Sequence, residues 1–155
     1  MQKIINRWTN DAKCNCFGCS PTHPFGLRME FFEDGDDIVS RWHPNENYQG
    51  WVDTMHGGVL GTLIDEICGW VVTRKIQTCG YTTHLNLTYR KAISTREPEL
   101  TIRARIVKQM RHLLFMHAEI TDSAGNLCVE GDATYIMMTP EKAHETGFIS
   151  CDDAE

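Results

Sequence analysis

A chain of 155 residues that is 41% hydrophobic and 23% charged can bury one core and is too short for a second full domain. Its formal net charge of −6 disfavours phosphate-backbone ligands, whose binding needs clustered Lys and Arg to displace counterions, so no nucleic-acid partner is expected. No apolar run approaches the roughly 18 residues of a membrane span, and the start M-Q-K-I-I-N-R-W lacks signal-peptide features, so no membrane partner and a cytoplasmic location are expected.

Residues 1–13 read as a short helix or arm leading into C-N-C-F-G-C-S-P-T-H-P-F-G, a loop punctuated by Gly and Pro. The seven cysteines are an odd number in a chain larger than small disulfide-stapled scaffolds, which predicts reduced thiols. Leu27 to Glu33 and Ile38 to His43 are β-prone runs on either side of E-D-G-D-D, a hairpin turn. A loop, P-N-E-N-Y-Q-G-W-V-D-T, precedes a helix over Gly58 to Lys75. Tyr81 to Lys91 then alternates, with Tyr81, Thr83, Leu85, Leu87 and Tyr89 on one side and Thr82, His84, Asn86, Thr88 and Arg90 on the other. Ile102, Ala104 and Ile106, then Leu114, Met116, Ala118 and Ile120, then Leu127, Val129, Gly131, Ala133, Tyr135 and Met137 mark three more strands. One helix followed by long strands with short turns predicts an antiparallel sheet whose buried face is covered by that helix, an α+β architecture. Residues 1–15 form an arm, 16–140 the domain, and 141–155 an acidic tail expected to be loose.

The helix carries the chemistry. Val59, Leu60, Leu63, Ile64, Ile67 and Val71 make a broad apolar face, while Gly58, Gly61, Thr62, Asp65 and Gly69 form a narrow stripe of small residues with Asp65 at its centre. Small residues admit a second backbone or a ligand. A carboxylate there is costly to bury unless it is hydrogen-bonded or used, so Asp65 is either a tied structural acid or a functional one. Glu66 points about 100° away and reads as structural or interfacial. Gly57 and Gly58 stand where the first backbone N–H groups lack helical partners and the dipole is positive, which suits a polarised carbonyl or a tight turn. His56 is a loop histidine holding backbone carbonyls or a proton-transfer residue. Gly57 and Asp65 lie eight residues apart, about 12 Å along one helix, too far to act on one carbonyl carbon. Two copies packing these stripes antiparallel across a two-fold axis close that gap and create two equivalent sites.

The combination of H-G-G at 56–58, Asp65 nine positions after the His, T-T-H-L-N-L-T-Y at 82–89 followed by Arg90 and Lys91, and C-F-G-C-S-P-T-H-P-F-G-L at 16–27 resembles the hotdog-fold acyl-CoA thioesterases, in particular the phenylacetate-degradation-type branch. The loop Y-Q-G-W-V-D-T-M before His56 is also similar to that family. The resemblance covers about Cys16 to Met138 and implies one long central helix wrapped by an antiparallel sheet, sites between subunits, a homodimer or homotetramer, an acyl-CoA substrate and no cofactor. It makes the Gly57 N–H the donor to the thioester oxygen, Asp65 the base or nucleophile, and Thr82 the hydroxyl that places it, with His56 and Gly58 beside them. Some relatives have an Asn before H-G-G that touches the carbonyl; here Gly50 stands there with Gln49 beside it, so Gln49 is the candidate replacement. Arg90 and Lys91, with Arg103 and Arg105, are candidates for the CoA phosphates.

Other readings use other residues. Cys14, Cys16, Cys19 and His23, spaced C-x-C-x2-C-x3-H, can supply four zinc ligands. A non-catalytic acyl-CoA-binding protein keeps the fold without the reaction, and an enoyl-CoA hydratase keeps the fold with another reaction. Trp51, Trp70 and Tyr48 can line a pocket or merely pack.

Overall fold

Leu63, Ile64, Ile67 and Val71 are wholly withdrawn from solvent along helix α1 (Gly57–Val71) in the computed structural model, which describes residues 1–152. Their spacing places them on one face, and burying each stabilises the fold by about 1.5–3 kcal/mol. That face rests on a sheet of seven antiparallel strands: β1 (Gln2–Lys3), β2 (Phe32–Asp34), β3 (Asp37–Trp42), β4 (Gly80–Tyr89), β5 (Leu100–Met110), β6 (Leu113–Thr121) and β7 (Leu127–Met137), in the spatial order β1-β2-β3-β5-β6-β7-β4. Ile38, Ile102, Ala104, Met116, Ala118, Ile120, Val129 and Ala133 form the sheet side of the core, the inward alternation expected for β5 to β7. The fold is a hotdog, α+β, with one long helix wrapped by an antiparallel sheet. No helix among the described residues is long and apolar enough to cross a membrane.

Several boundaries move. The α-helix begins at Gly57 and gives way after Val71 to a wider π-helical turn, Val72–Ile76, that stops at Gln77 with φ +60; the helical run therefore reaches past Lys75, its last turn π-helical. β2 is shorter than Leu27–Glu33. Leu27 and Met29 donate their N–H groups to Phe17 and Gly18 carbonyls at 2.8 and 2.9 Å, so this buried, alternating stretch pairs with the Cys-Phe-Gly-Cys loop instead of the sheet ladder. The β2–β3 turn is as expected: Asp34 pairs with Asp37 and Gly35 takes φ +61, the left-handed position that a two-residue hairpin turn requires.

Both ends of the described stretch are tied down. β1 pairs with β2, and a 3₁₀ turn at Arg7–Asn10 is capped by Asn6, which accepts from the Trp8 N–H at 3.1 Å. The expectation of a loose tail is corrected by α2 (Pro140–Glu145) and the segment after it. Gln77 holds both the N–H and the carbonyl of Cys151, at 2.8 and 3.2 Å, and Trp8 packs on Phe148 with ring centroids 5.8 Å apart. A buried backbone needs such partners, and the side chain left at the end of α1 provides them. Residues 153–155 of the tail lie outside the described residues.

β4 is the sheet edge nearest the small-residue stripe of α1, and its register against β7 slips between Thr82 and His84. This bulge at Thr83 corrects the strict alternation read from the sequence, because one extra residue turns Thr82 onto the same face as Leu85, Leu87 and Tyr89. Gly131 of β7 permits the close approach. A Cβ there would lie 2.5 Å from the Leu87 Cδ2.

Candidate active site

Asp65 is half-buried and held by two hydroxyls. Thr82 Oγ1 donates to its Oδ1 at 2.7 Å, and Tyr135 Oη donates to the same oxygen at 2.8 Å and lies 2.6 Å from the Asp65 carbonyl. Burial pushes the Tyr135 phenol up, so it stays protonated and serves as a donor. Among the described residues nothing donates to Oδ2. The carboxylate is therefore fixed through one oxygen and open through the other, the arrangement a general base or a nucleophile needs.

The stripe of Gly58, Gly61, Thr62 and Asp65 faces Thr82, Leu85, Leu87 and Tyr89 across a groove of about 350 Å³. At its other end stands the helix N-terminus. His56 Nδ1 accepts the Gly58 N–H at 2.9 Å, and Tyr89 Oη donates to the Gly57 carbonyl at 2.7 Å. His56 thus caps α1 through a ring nitrogen, where sequence suggested a histidine holding backbone carbonyls or moving protons. The Gly57 N–H has no acceptor among the described residues, and it points out of the positive end of the helix.

On the far side of Asp65 opens a cleft of about 660 Å³, lined by Glu66, Trp8, Trp70, Tyr81, Tyr135 and Phe148 among others. Trp70 stacks on Phe31 at 4.6 Å and receives Trp8 edge-on at 6.1 Å, so the walls are rigid aromatic surface. Of the three aromatic residues expected to line a pocket, Trp70 does. Trp51 projects from its loop with 81% of its surface exposed, and Tyr48 packs on Trp42 while donating to the Gly26 carbonyl.

The remaining residues are dispersed. Gln49 is exposed and bridges Met55 in the loop before α1, while Gly50 lies against His56. Arg90 pairs with Glu130 at 2.8 Å and Lys91 with Asp122 at 2.6 Å, just past the Tyr89 end of the groove. Arg103 and Arg105 are drawn to Asp37, and Arg103 also to Asp34, at the β2–β3 hairpin; they line neither the groove nor the cleft. The zinc set of Cys14, Cys16, Cys19 and His23 is not assembled. His23 turns away, accepting the Phe25 N–H at 3.1 Å and packing on Phe17, and the thiols of Cys16 and Cys19 meet Glu66 instead. Cys19 donates toward Cys16, which lowers the Cys16 thiol and pushes Cys19 up. None of the seven cysteines is in a disulfide. Tyr135 is the residue that sequence reasoning missed; its signal was a phenol in an otherwise small and apolar inward stripe of β7.

A helix laid in an antiparallel sheet, with an oriented carboxylate on its exposed stripe, places the chain in a class defined by fold and site together. Residues 53–129, from the loop before α1 into β7, match the family described as "Thioesterase superfamily". It is 26% identical over 99 residues to acyl-coenzyme A thioesterase 13 of Homo sapiens, covering 63% of this chain and 70% of that one. Among solved structures, thioesterase superfamily member 2 of zebra fish is 26% identical with a TM-score of 0.65, covering 71% of this chain and 81% of its own. A hypothetical thioesterase of Streptococcus pneumoniae, solved with coenzyme A, is 26% identical with a TM-score of 0.66, covering 71% and 88%.

Proposed function

We propose that this protein hydrolyses acyl-CoA thioesters to the free acid and CoA, as a cytoplasmic member of the phenylacetate-degradation-type branch, at a site shared between two copies of the chain. The observation that carries this is the Asp65 carboxylate, pinned through Oδ1 by Thr82 and Tyr135 with Oδ2 open, on a helix whose Gly57 N–H is unclaimed. The names of the relatives support the acyl-CoA substrate, and the streptococcal structure holding CoA supports its binding to this fold. As Asp65 or the water it activates attacks the thioester, negative charge grows on the carbonyl oxygen, and a fixed N–H at a positive helix end stabilises that charge. Thr82 and Tyr135 hold the acid group in line. His56 caps the helix start beside Gly58, and in this reading Arg90 and Lys91 meet the CoA phosphates while Gln49 supplies the second contact to the carbonyl.

The eight-position separation of Gly57 and Asp65 keeps one chain's donor about 12 Å along the helix from its own carboxylate. Among the described residues the outer edge of β4 is unpaired, and the strand exposes Tyr81, Leu85 and Tyr89, a surface that calls for a cover. A second copy related by a two-fold axis provides that cover and brings its Gly57 to the first copy's Asp65, and two such dimers make the homotetramer. Replacing Asp65→Asn should lower kcat for acyl-CoA hydrolysis at least about a hundredfold with the fold intact. Gly57→Pro should do about the same, because it removes the N–H at a position where Pro is accepted and His56 already has the extended backbone that precedes Pro. Heterodimers of the two variants, isolated through different tags, carry one intact site and should recover about half of wild-type turnover. Heterodimers as inactive as their parents would remove the shared site, and full turnover by Asp65→Asn would remove the carboxylate.

A further inference from the structure

Glu66 points away from the groove and into the Cys-Phe-Gly-Cys loop. Its carboxylate lies 3.4 and 3.6 Å from the Cys16 Sγ and accepts from the Trp70 Nε1 at 3.2 Å. Gly18 makes this possible, since a Cβ at that position would lie 2.4 Å from the carboxylate. The Cys19 sulfur completes the group, and one ligand atom from each of Cys16, Cys19 and Glu66 lies within 4.8 Å of the others. No Lys, Arg or His pairs with Glu66 among the described residues. A partly buried carboxylate facing two thiols, with no cation paired to it among the described residues, has the donors of a metal centre.

The spacing agrees with tetrahedral coordination. Zinc at about 2.3 Å from sulfur and about 2.0 Å from oxygen separates sulfur and oxygen ligands by about 3.5 Å across a tetrahedral edge, which is the separation of Cys16 from Glu66. Two thiolates and a carboxylate suit a borderline-soft divalent ion and not magnesium or calcium, which take oxygen sets. Cys19 and Glu66 both line the aromatic cleft, so water or another small ligand from the cleft can take the fourth position. We propose that Cys16, Cys19 and Glu66 form a binding site for a zinc-type divalent cation, clamping the Cys-Phe-Gly-Cys loop to α1 one residue beyond Asp65. Binding forms two metal–sulfur bonds and one metal–oxygen bond and releases the two thiol protons to solvent. The assignment is independent of the reaction catalysed at Asp65.

Cobalt(II) reads this site directly, because thiolate ligation gives a near-ultraviolet charge-transfer absorption and tetrahedral geometry gives intense visible bands. The full chain, freed of metal by chelator dialysis with its thiols kept reduced, should develop both absorptions to saturation at one equivalent of cobalt(II), and zinc(II) should abolish them. Cys16→Ser and Cys19→Ser should each lose most of the charge-transfer intensity. Glu66→Gln, nearly isosteric, should keep it while binding at least about tenfold more weakly, and Cys14→Ser and His23→Ala should leave the titration unchanged. Zinc(II) should raise the melting temperature of the wild type by mass action, and less so that of Glu66→Gln. Folded, reduced wild-type protein with no charge-transfer band overturns the proposal without recourse to any variant, as does a spectrum lost in Cys14→Ser or His23→Ala.

Discussion

Asp65 owes its orientation to Thr82 and Tyr135, hydroxyls from two different strands that converge on one carboxylate oxygen. Hydrogen bonds to a charged acceptor are worth about 1.5–3 kcal/mol, and here they also fix which oxygen faces the groove. Tyr135→Phe and Thr82→Val change shape little and each remove one donor. Each should lower kcat about tenfold in steady-state assays while KM moves less than threefold, because under the proposed function the lost contact positions the reacting group and does not touch the substrate. A loss of thermal stability with kcat unchanged would make the two hydroxyls purely structural. Tyr135 was not readable as a site residue. Its β7 stripe marks an inward position, and only the pairing of β7 with β4 beside α1 carries its phenol to Asp65.

Among the elements, β4 depends most on its neighbours. Among the described residues it pairs on one side only, and Gly80 in β4 and Gly131 in β7 let the two strands close. A Cβ on Gly80 would lie 2.3 Å from the Ile136 carbonyl oxygen, a backbone atom that cannot move without breaking the ladder. Gly80→Ala should therefore destabilise the protein by about 1–3 kcal/mol, seen as a lower urea midpoint with an unchanged slope. Because β4 also carries Thr82, turnover should fall with it. An unaltered midpoint would mean that the start of β4 gives way at no cost. The bulge at Thr83 belongs to this scale: alternation in Tyr81–Lys91 was legible, but its phase was not, since an unpaired residue leaves no mark in the hydrophobic pattern.

At the scale of the whole molecule, the π-helical turn that follows α1 is stapled to the β2 strand by Glu33, which pairs with Arg74 at 2.7 Å and with Lys75. Burial alone would raise the Glu33 carboxyl, but the hydrogen bonds from Lys75 and Arg74 outweigh it and hold the group below its ordinary 4.5. A carboxyl depressed by folding stabilises the protein above its unfolded value, and that contribution is lost as pH falls through the folded value. The protein should thus lose stability as pH drops below about 4.5, and Glu33→Gln should be the less stable protein at pH 7, with the difference shrinking in acid. Urea unfolding at pH 7 and at pH 4 measures this. A gap that stays constant would show that the staple carries no pH dependence.

The sequence alone determined the covering helix, the inward faces of β5, β6 and β7, and the odd position of Asp65 on a stripe of small residues, because each is a repeat set by local geometry and by the need to bury one face. Gly57 and Gly58 were legible for the same reason, since a helix start has unsatisfied amides wherever it occurs, whereas the capping role of His56 was not. Tertiary structure decided what those residues meet. The thiols of Cys16 and Cys19 find Glu66 fifty residues from Cys16, and His23, four positions past Cys19, turns away to Phe17. Tyr135 reaches Asp65 seventy positions back. Partners this distant along the chain come together only when the sheet folds around the helix, and no short-range pattern encodes which side chains then face one another.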